Sequence, residues 1–299
     1  MNTLSSAVLP PPLKPGARIG VFAPSGAFNP ERVAKGCDLI RGWGFEPVEA
    51  PNLGGVFRYL AGTDVQRTRD MVWALTDPGL DAAWMARGGY GLTRLLRGGL
   101  PERLPPRPVI GFSDGTALMS ALWQRGVVGV HGPVLHSVAD LTDPPSQDHL
   151  RALLGGDGAA QLDGHSLVKG EVTAPLVGGN LCMLASTCGT PLQLDARGCI
   201  LLLEDVSEPP YKLDRTLEQL DQAGVFEGVV GVALGDFVGS TLPTHDTWTI
   251  EDVLMEHIGR LEVPVVAGLP VGHGARNRAF LHGAPATLTR HALVLEDPR

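Results

Sequence analysis

The sequence lacks the patterns that hold metal ions and disulfides. Its four cysteines form no CxxC pair, and its nine histidines include no HExxH pattern. Cysteines that stand singly among apolar or small residues are typical of buried thiols in a reducing compartment. We therefore expect no disulfide framework and no structural or catalytic metal.

An excess of positive charge and long apolar runs are also missing. The formal net charge is -8, which argues against a nucleic-acid partner because phosphate binding needs a basic face. No stretch approaches the roughly 20 apolar residues of a membrane-spanning helix. The N-terminal segment has no basic region followed by an apolar one. The sequence therefore predicts a cytoplasmic protein with no nucleic-acid or membrane partner.

The first half of the chain alternates apolar runs with helical patterns. Strands and helices alternate from Arg18 to Gln124, with helices predicted over 64–76 and 116–124, and this alternation predicts parallel βαβ units in an open sheet. After residue 170 the predicted strands are at 200–203, 229–234, 263–267 and 292–295. Residues 140–170 are rich in Asp, Gly, Pro and Ser, which indicates a break in the fold. We predict an α/β fold with an open parallel-sheet N-terminal domain at 1–150, a linker at 151–170, and a smaller, mixed α/β, strand-richer C-terminal domain at 171–299.

The pentapeptide GFSDG at 111–115 fits the G-x-S-x-G pattern of a serine nucleophile. A predicted strand precedes it and a predicted helix follows it, which places Ser113 beyond the carboxyl end of a strand, where sites of open sheets lie. The glycines are expected to leave room for a sharp turn beside the serine. Backbone N–H groups at the following helix N-terminus can stabilise an oxyanion. The competing interpretation is a serine that only caps that helix.

A serine nucleophile needs a base, and the base needs a carboxylate that orients it. His273 lies between two glycines in the loop after a predicted strand at 263–267. Glu204 ends a fully apolar predicted strand at 200–203, where a carboxylate is costly to bury unless it is paired. Asp205 and Glu208 are rivals for the acid. An exposed loop histidine and a turn-capping or salt-bridged glutamate are the competing interpretations.

Five segments, in this order, resemble the LD-carboxypeptidases. This serine peptidase family also contains the microcin C immunity peptidase. The resemblance extends from about Arg18 to Thr289. The segments are RGGYG at 87–91, GFSD at 111–114, GGNL at 178–181, LEDV at 203–206 and PVGHG at 270–274.

The resemblance implies a catalytic triad of Ser113, Glu204 and His273, with the serine in the first domain and its partners in the second. It implies no cofactor and a homodimer. The implied reaction is hydrolysis of the L,D-amide that releases C-terminal D-alanine from cytosolic murein tetrapeptides during peptidoglycan recycling. The partner is then a small peptide. The family's oxyanion hole uses backbone N–H groups, which fall on Asp114, Gly88 and Gly89.

Substrate contacts are the least constrained part of the resemblance. Many relatives carry an aromatic residue just before Gly-Gly-Asn, and Val177 at that position favours the murein branch over the microcin C type, which would cleave a peptide-nucleotide amide. Two further interpretations stay open, an esterase of the α/β-hydrolase type and a non-catalytic protein that binds a small ligand. The substrate-binding candidates are Gly179, Asn180 and Arg87, with Arg276 and Arg278 as further candidates for the C-terminal carboxylate.

Overall fold

The computed structural model describes residues 7–241 and 247–299. Within these ranges the chain folds into two sheets with helices packed against them. The first part of the chain contributes β1 (Arg18–Phe22), α1 (Pro30–Gly42), β2 (Glu46–Glu49), α2 (Asp64–Thr76), β3 (Ala82–Met85), α3 (Leu92–Leu95), β4 (Val109–Gly111), α4 (Thr116–Gln124) and β5 (Gly129–His131).

The remainder of the chain begins with two further helices and then builds a second sheet. Its elements are α5 (Leu135–Val138), α6 (Pro144–Gly155), β6 (Ala160–Asp163), β7 (His165–Val168), β8 (Val172–Asn180), α7 (Leu181–Ser186), β9 (Ile200–Val206), α8 (Pro210–Gln222), β10 (Gly231–Val238), α9 (Ile250–Ile258), β11 (Val265–Ala267), β12 (Phe280–His282), β13 (Pro285–Leu288) and β14 (Ala292–Leu295).

The first sheet has the strand order β12-β5-β4-β3-β1-β2. Strands β1 to β5 are parallel, and β12 pairs with β5 in the antiparallel sense. Successive residues of β1 enter different cores: Val21 packs in one apolar cluster and Phe22 in another. A parallel sheet covered on both faces requires such uninterrupted apolar strands. The α/β fold with a parallel-rich first sheet is confirmed.

Helix α2 shows how local sequence sets an element's limits. Thr63 and Gln66 form a capping box, in which each side chain bonds the backbone N–H of the other residue. The helix ends at Thr76, where Asp77 adopts an extended conformation. Its inner stripe includes Met71 and Leu75, each 1% exposed. The predicted helix over 64–76 is therefore confirmed.

The second sheet has the strand order β6-β14-β13-β8-β9-β10-β11-β7 and is richer in strands than the first, as predicted. Its centre, β8 to β11, is parallel, and antiparallel strands flank it. Strand β8 had no counterpart in the sequence prediction. The division into 1–150, a linker at 151–170 and 171–299 stays a prediction, but residues 151–170 contain β6 and β7, which pair with this sheet.

Strand β12 connects the two parts of the chain. It follows the second sheet's β11 in sequence, yet Phe280 pairs with His131 of the first sheet. The two sheets are therefore joined by packing and by β12, a strand from the second part of the chain that pairs in the first sheet. No helix in residues 7–241 or 247–299 is long and apolar enough to cross a membrane.

Candidate active site

Ser113 lies at a strained turn between β4 and α4. Phe112 is extended, Ser113 has φ +62°, and residues 113–115 form one turn of 3-10 helix before α4 begins. Positive φ is uncommon for residues other than glycine, and such strain clusters at functional sites. The helix-cap interpretation is wrong, because Gly115 is the N-cap of α4 and no side chain caps that helix. The geometry is that of a nucleophile elbow.

The glycines around Ser113 have a different role from the one predicted. A Cβ at Gly111 would lie 2.7 Å from Met85 Sδ, and one at Gly115 would lie 3.0 Å from the same atom. The absence of side chains at these two glycines therefore allows the turn to pack against Met85 of β3. The residue that lies against the serine is Gly88, where a Cβ would be 2.8 Å from Ser113 Cβ and 3.1 Å from its Oγ.

The ring of His273 is bonded to the carboxylate of Glu204. Its Nδ1 lies 2.7 Å from Glu204 Oε2, and the ring centroid lies 4.3 Å from that of Phe112. Because Phe112 immediately precedes Ser113, this packing brings the histidine beside the nucleophile turn. The side chain of His273 is 18% exposed and that of Glu204 is fully buried. A ring held by a buried carboxylate at Nδ1 and open to solvent on one side is suited to act as a base.

Backbone features of the second sheet bring Glu204 and His273 together. Glu204 pairs with Asn180 at the carboxyl ends of β9 and β8. A Cβ at Gly235 of β10 would collide with the backbone of Val271 and lie 3.2 Å from Glu204 Cβ. The absence of a side chain at Gly235 therefore allows the loop at 268–279 to approach the glutamate. That loop is further held by the backbone hydrogen bond from Asp236 N to Val271 O, at 2.8 Å.

Burial dominates the electrostatics of Glu204. Removal from water raises the pKa of its carboxyl, and the bond to His273 acts in the opposite direction. Its Oε1 has no hydrogen-bond partner among the described residues. A buried carboxylate stabilises positive charge on a histidine bonded to it. The carboxylate of Glu204 is therefore placed where it would stabilise a protonated His273.

The two rival acids have other partners. Asp205 accepts hydrogen bonds from Asn180 Nδ2 at 3.0 Å and from the backbone N–H of Cys182 at 2.9 Å, which holds the first turn of α7. Glu208 pairs with Lys212 at 3.4 Å. Neither carboxylate is bonded to a histidine among the described residues, so Glu204 is the acid that the geometry favours.

Comparisons with known proteins agree with this geometry. Residues 19–132 match the sequence profile of the LD-carboxypeptidase N-terminal domain, and residues 173–288 match that of the LD-carboxypeptidase C-terminal domain. The murein tetrapeptide carboxypeptidase of Pseudomonas aeruginosa is 35% identical over 294 residues, which cover 92% of this chain and 94% of that protein. This chain belongs to the LD-carboxypeptidase family.

Solved structures extend the similarity to three dimensions. The muramoyltetrapeptide carboxypeptidase from Oxalobacter formigenes matches with a TM-score of 0.84 at 28% identity, over 95% of this chain and 100% of that chain. The protein MccF, solved in complex with glutamyl sulfamoyl guanosine, matches with a TM-score of 0.85 at 21% identity, over 97% and 98% of the two chains, and so shares the fold. The family profiles and relatives thus support a serine-type carboxypeptidase.

The predicted substrate-binding residues are engaged within the protein. Asn180 caps α7 through Oδ1 and donates from Nδ2 to Asp205. A Cβ at Gly179 would lie 2.7 Å from Thr116 Oγ1, so this glycine packs against α4. Arg87 is exposed and donates to the backbone carbonyl of Ala27. Substrate binding by these three residues stays a prediction for this LD-carboxypeptidase.

Val177 is the residue on which the choice between the murein and the microcin C branch was based. It is fully buried in β8 and belongs to the core of the second sheet. Its side chain packs in the core, and the inference that this position favours the murein branch stays a prediction.

Two residues that hold the surroundings of the candidate site were not predicted. Thr116 Oγ1 accepts a hydrogen bond from the backbone N–H of Asn180 at 3.0 Å, which ties the first turn of α4 to the end of β8. Asp236, 3.5 Å from Arg276, packs against the glycines that flank His273. A signal for Asp236 was available, because it follows an apolar run in β10 as Glu204 does in β9.

Proposed function

We propose that this chain hydrolyses the L,D-amide bond that releases C-terminal D-alanine from murein tetrapeptides. The observation that carries the proposal is the bond from His273 to Glu204 beside the strained turn at Ser113. The names of the Pseudomonas aeruginosa relative and of the Oxalobacter formigenes structure support the substrate. Cytoplasmic location, a role in peptidoglycan recycling and a homodimer are parts of the same proposal.

In this mechanism His273 acts first as a base and then as an acid. With Nδ1 donating to Glu204, the neutral ring carries its lone pair on Nε2. Nε2 takes the proton from Ser113 Oγ as that oxygen attacks the carbonyl carbon of the scissile amide. The imidazolium then gives the proton to the departing amino group of D-alanine. Water hydrolyses the resulting acyl-serine by the same route in reverse, with His273 again as the base.

The negative charge on the attacked carbonyl oxygen needs donors that are already in place. We assign this role to the backbone N–H groups of Asp114 and of Gly88 or Gly89. Gly88 supports the assignment because it lies against Ser113 with no room for a side chain. Gly89 supports it because its φ of +100° is a conformation that glycine adopts readily.

The C-terminal carboxylate of the substrate requires a positive group. Arg87 is exposed beside the Gly88 turn, Arg276 is paired with Asp236, and Arg278 is partly buried in the loop that carries His273. Arg276 and Arg278 follow His273 by three and five residues in the chain. Arg87 precedes Gly88, which lies against Ser113, and is therefore the candidate nearest the proposed oxyanion hole. The expected partner is a small peptide, with no nucleic acid, membrane, metal or cofactor.

A panel of substrates tests the proposal. Purified protein is incubated with a murein tetrapeptide, an all-L tetrapeptide, a microcin C-type peptide-nucleotide amide and a short acyl ester. The proposal expects free D-alanine from the first, measured by chromatography, and little turnover of the others. Equal cleavage of both tetrapeptides would reject the stereochemical claim. Preferred cleavage of the peptide-nucleotide amide would assign the chain to the microcin C type. Tetrapeptide binding without release of D-alanine would favour a non-catalytic binding protein.

A further inference from the structure

Two charged side chains are buried beside the RGGYG turn at 87–91, yet they belong to neither the triad nor the substrate candidates. Asp114 is fully buried, and Arg67 is 1% exposed. The backbone of Asp114 has a proposed role, but its side chain has none. Burying a charged group costs free energy unless hydrogen bonds replace the lost water. The partners of each side chain therefore indicate what it does.

The carboxyl of Asp114 bonds two other segments of the first part of the chain. Its Oδ2 accepts hydrogen bonds from Ser25 Oγ at 2.6 Å and from the backbone N–H of Leu92 at 2.9 Å. Its Oδ1 has no hydrogen-bond partner among the described residues. Burial raises the pKa of this carboxyl, while the two donors lower it. The residue next to Ser113 is thus bonded to the end of the 87–91 turn and to the turn after β1.

Arg67 binds the backbone carbonyls of the residues that precede the two donors bound by Asp114. Its Nη1 donates to the carbonyl of Pro24, which precedes Ser25, and to that of Gly91, which precedes Leu92, at 3.3 Å from the latter. Gly91 has φ +141°, and a Cβ there would lie 2.5 Å from Arg67 Nη1. The guanidinium therefore occupies the space that a side chain on the turn would need.

The other end of the 87–91 turn carries the proposed oxyanion donors. Gly88 accepts a hydrogen bond at its carbonyl from Gly26 N, at 3.1 Å, and its Cα faces Ser113. Between Gly88 and Gly91 the turn spans only a few residues, so fixing its far end restricts where the N–H groups of Gly88 and Gly89 point. Displacement of such a donor by about 1 Å is enough to lower a rate roughly 100-fold.

We propose that Asp114 and Arg67 are positioning residues, whose hydrogen bonds to the segments at 24–25 and 91–92 hold the oxyanion turn at the correct distance from Ser113. This rests on the proposed function for the identity of the donors. Neither side chain touches the reacting atoms. Their loss should therefore reduce stabilisation of the transition state while substrate binding is retained.

A first experiment compares two buried arginines. Arg67→Lys removes the forked donor, and Arg107→Lys does the same to a buried arginine that donates to the carbonyls of Ala74 and Asp77, away from the site. We expect both variants to melt at a lower temperature. Only Arg67→Lys should lose kcat, by roughly tenfold or more, with KM retained.

Asp114 has its own matched control in Asp70. Asp70 is 4% exposed and accepts from the backbone N–H and side-chain amide of Asn52. Asp114→Ala should lower kcat, whereas Asp70→Ala should lower only stability. Asp114→Asn keeps an acceptor for Leu92 and Ser25 and should restore much of the lost kcat, which a general loss of folding would not show.

A second readout separates failure of this proposal from failure of the proposed function. The rate at which a fluorophosphonate modifies Ser113, followed by mass spectrometry, depends on the nucleophile and the oxyanion donors but not on D-alanine. We expect this rate to fall in Arg67→Lys and Asp114→Ala in parallel with kcat. If the wild type is labelled but releases no D-alanine, the murein tetrapeptide is rejected as the substrate. The labelling rates of the variants would then still test whether Asp114 and Arg67 position the oxyanion turn. Equal labelling by wild type and both variants would overturn the proposal, and a wild type that neither labels nor turns over would overturn both.

Discussion

The Nδ1 atom of His273 lies 2.7 Å from Oε2 of Glu204, although the two residues are 69 positions apart in the chain. Glu204 comes from the end of the buried strand β9. His273 comes from a loop in which a glycine stands on each side of it. Their contact requires Gly235 and Gly272, where side chains would meet Val271 and Glu204 respectively. The proposed base and acid are therefore brought together by backbone packing that a sequence pattern does not reveal directly.

Glu204→Gln tests the role of the negative charge. The amide is close in size to the carboxyl, so the fold should be retained. However, it stabilises a charged His273 poorly and lets the ring adopt the wrong tautomer. We expect kcat on a murein tetrapeptide to fall by roughly 10³-fold to 10⁴-fold, with KM changed little, as measured by D-alanine release. Asp205→Asn is the control: it weakens the start of α7 and should lower stability more than kcat. Equal kinetic losses in both variants would contradict the assignment of the acid.

Ser113→Gly tests the strain at the nucleophile. A left-handed conformation costs a non-glycine residue roughly 1–2 kcal/mol, and the greater chain entropy of glycine offsets about half of that gain. We expect Ser113→Gly to be inactive yet about 0.5–1 kcal/mol more stable than Ser113→Ala in urea unfolding. Ser113→Ala keeps the strain and is the matched inactive variant. If the two variants unfold at the same urea concentration, the turn is not strained as described.

Gly88→Ala tests the close approach of the oxyanion turn to the serine. The added Cβ would lie 2.8 Å from Ser113 Cβ, so one of the two backbones must move. We expect a loss of roughly 100-fold in kcat, because the donors and the nucleophile lose their alignment. Gly98→Ala is the control, since a Cβ at Gly98 meets nothing within 4 Å. Retained activity in Gly88→Ala would show that this turn is not part of the catalytic site.

Acid sensitivity of the fold should depend on His131, which is fully buried and stacked on Phe280 at 4.6 Å. Burial lowers its pKa to about 3, against an ordinary value near 6.5. Between these values the unfolded chain binds a proton that the folded chain does not, so stability falls as the pH drops below about 6.5. His131→Phe removes this proton uptake. The substitution should break no hydrogen bond, because neither ring nitrogen of His131 has a hydrogen-bond partner among the described residues.

We therefore expect the difference in unfolding free energy between pH 7.5 and pH 5 to be about 2 kcal/mol smaller in His131→Phe than in the wild type. Urea unfolding at the two pH values measures it. The comparison uses differences, so any uniform cost of fitting the larger ring cancels. His282 is also buried, with its pKa lowered to about 4, and keeps part of the acid sensitivity in the variant. An unchanged pH dependence would contradict a neutral, buried His131.

Local sequence signals were sufficient to predict the limits of two helices in the first part of the chain. The helix predicted over 64–76 has those limits in the structure, because a capping box and apolar periodicity define it. The helix predicted over 116–124 also has its predicted limits, although no side chain caps it. Strand β8 was missed because Pro175 and the Gly178–Gly179 pair are typical of turns. In the fold the two glycines, with φ of +116° and +142°, let β8 approach Leu202 and Thr116 closely.

The proposed triad could be predicted as three residues but not as a geometry. A glutamate after an apolar strand and a histidine between glycines are each common, and only the ordered set of five segments that resemble the family made them specific. Strands β8 and β9 place Asn180 and Glu204 in register, yet the side chain of Asn180 bonds Asp205 and that of Glu204 bonds His273. Such long-range pairing, like the crossing of β12 into the first sheet, has no local sequence signal.

The most direct test of the central claim is release of free D-alanine from a murein tetrapeptide by the wild type, Ser113→Ala and His273→Ala, with the double variant in parallel. We expect turnover only by the wild type, and we expect the double variant to be no slower than either single one, because residues that act as one unit are not additive. Release of D-alanine by Ser113→Ala at the wild-type rate would contradict the account.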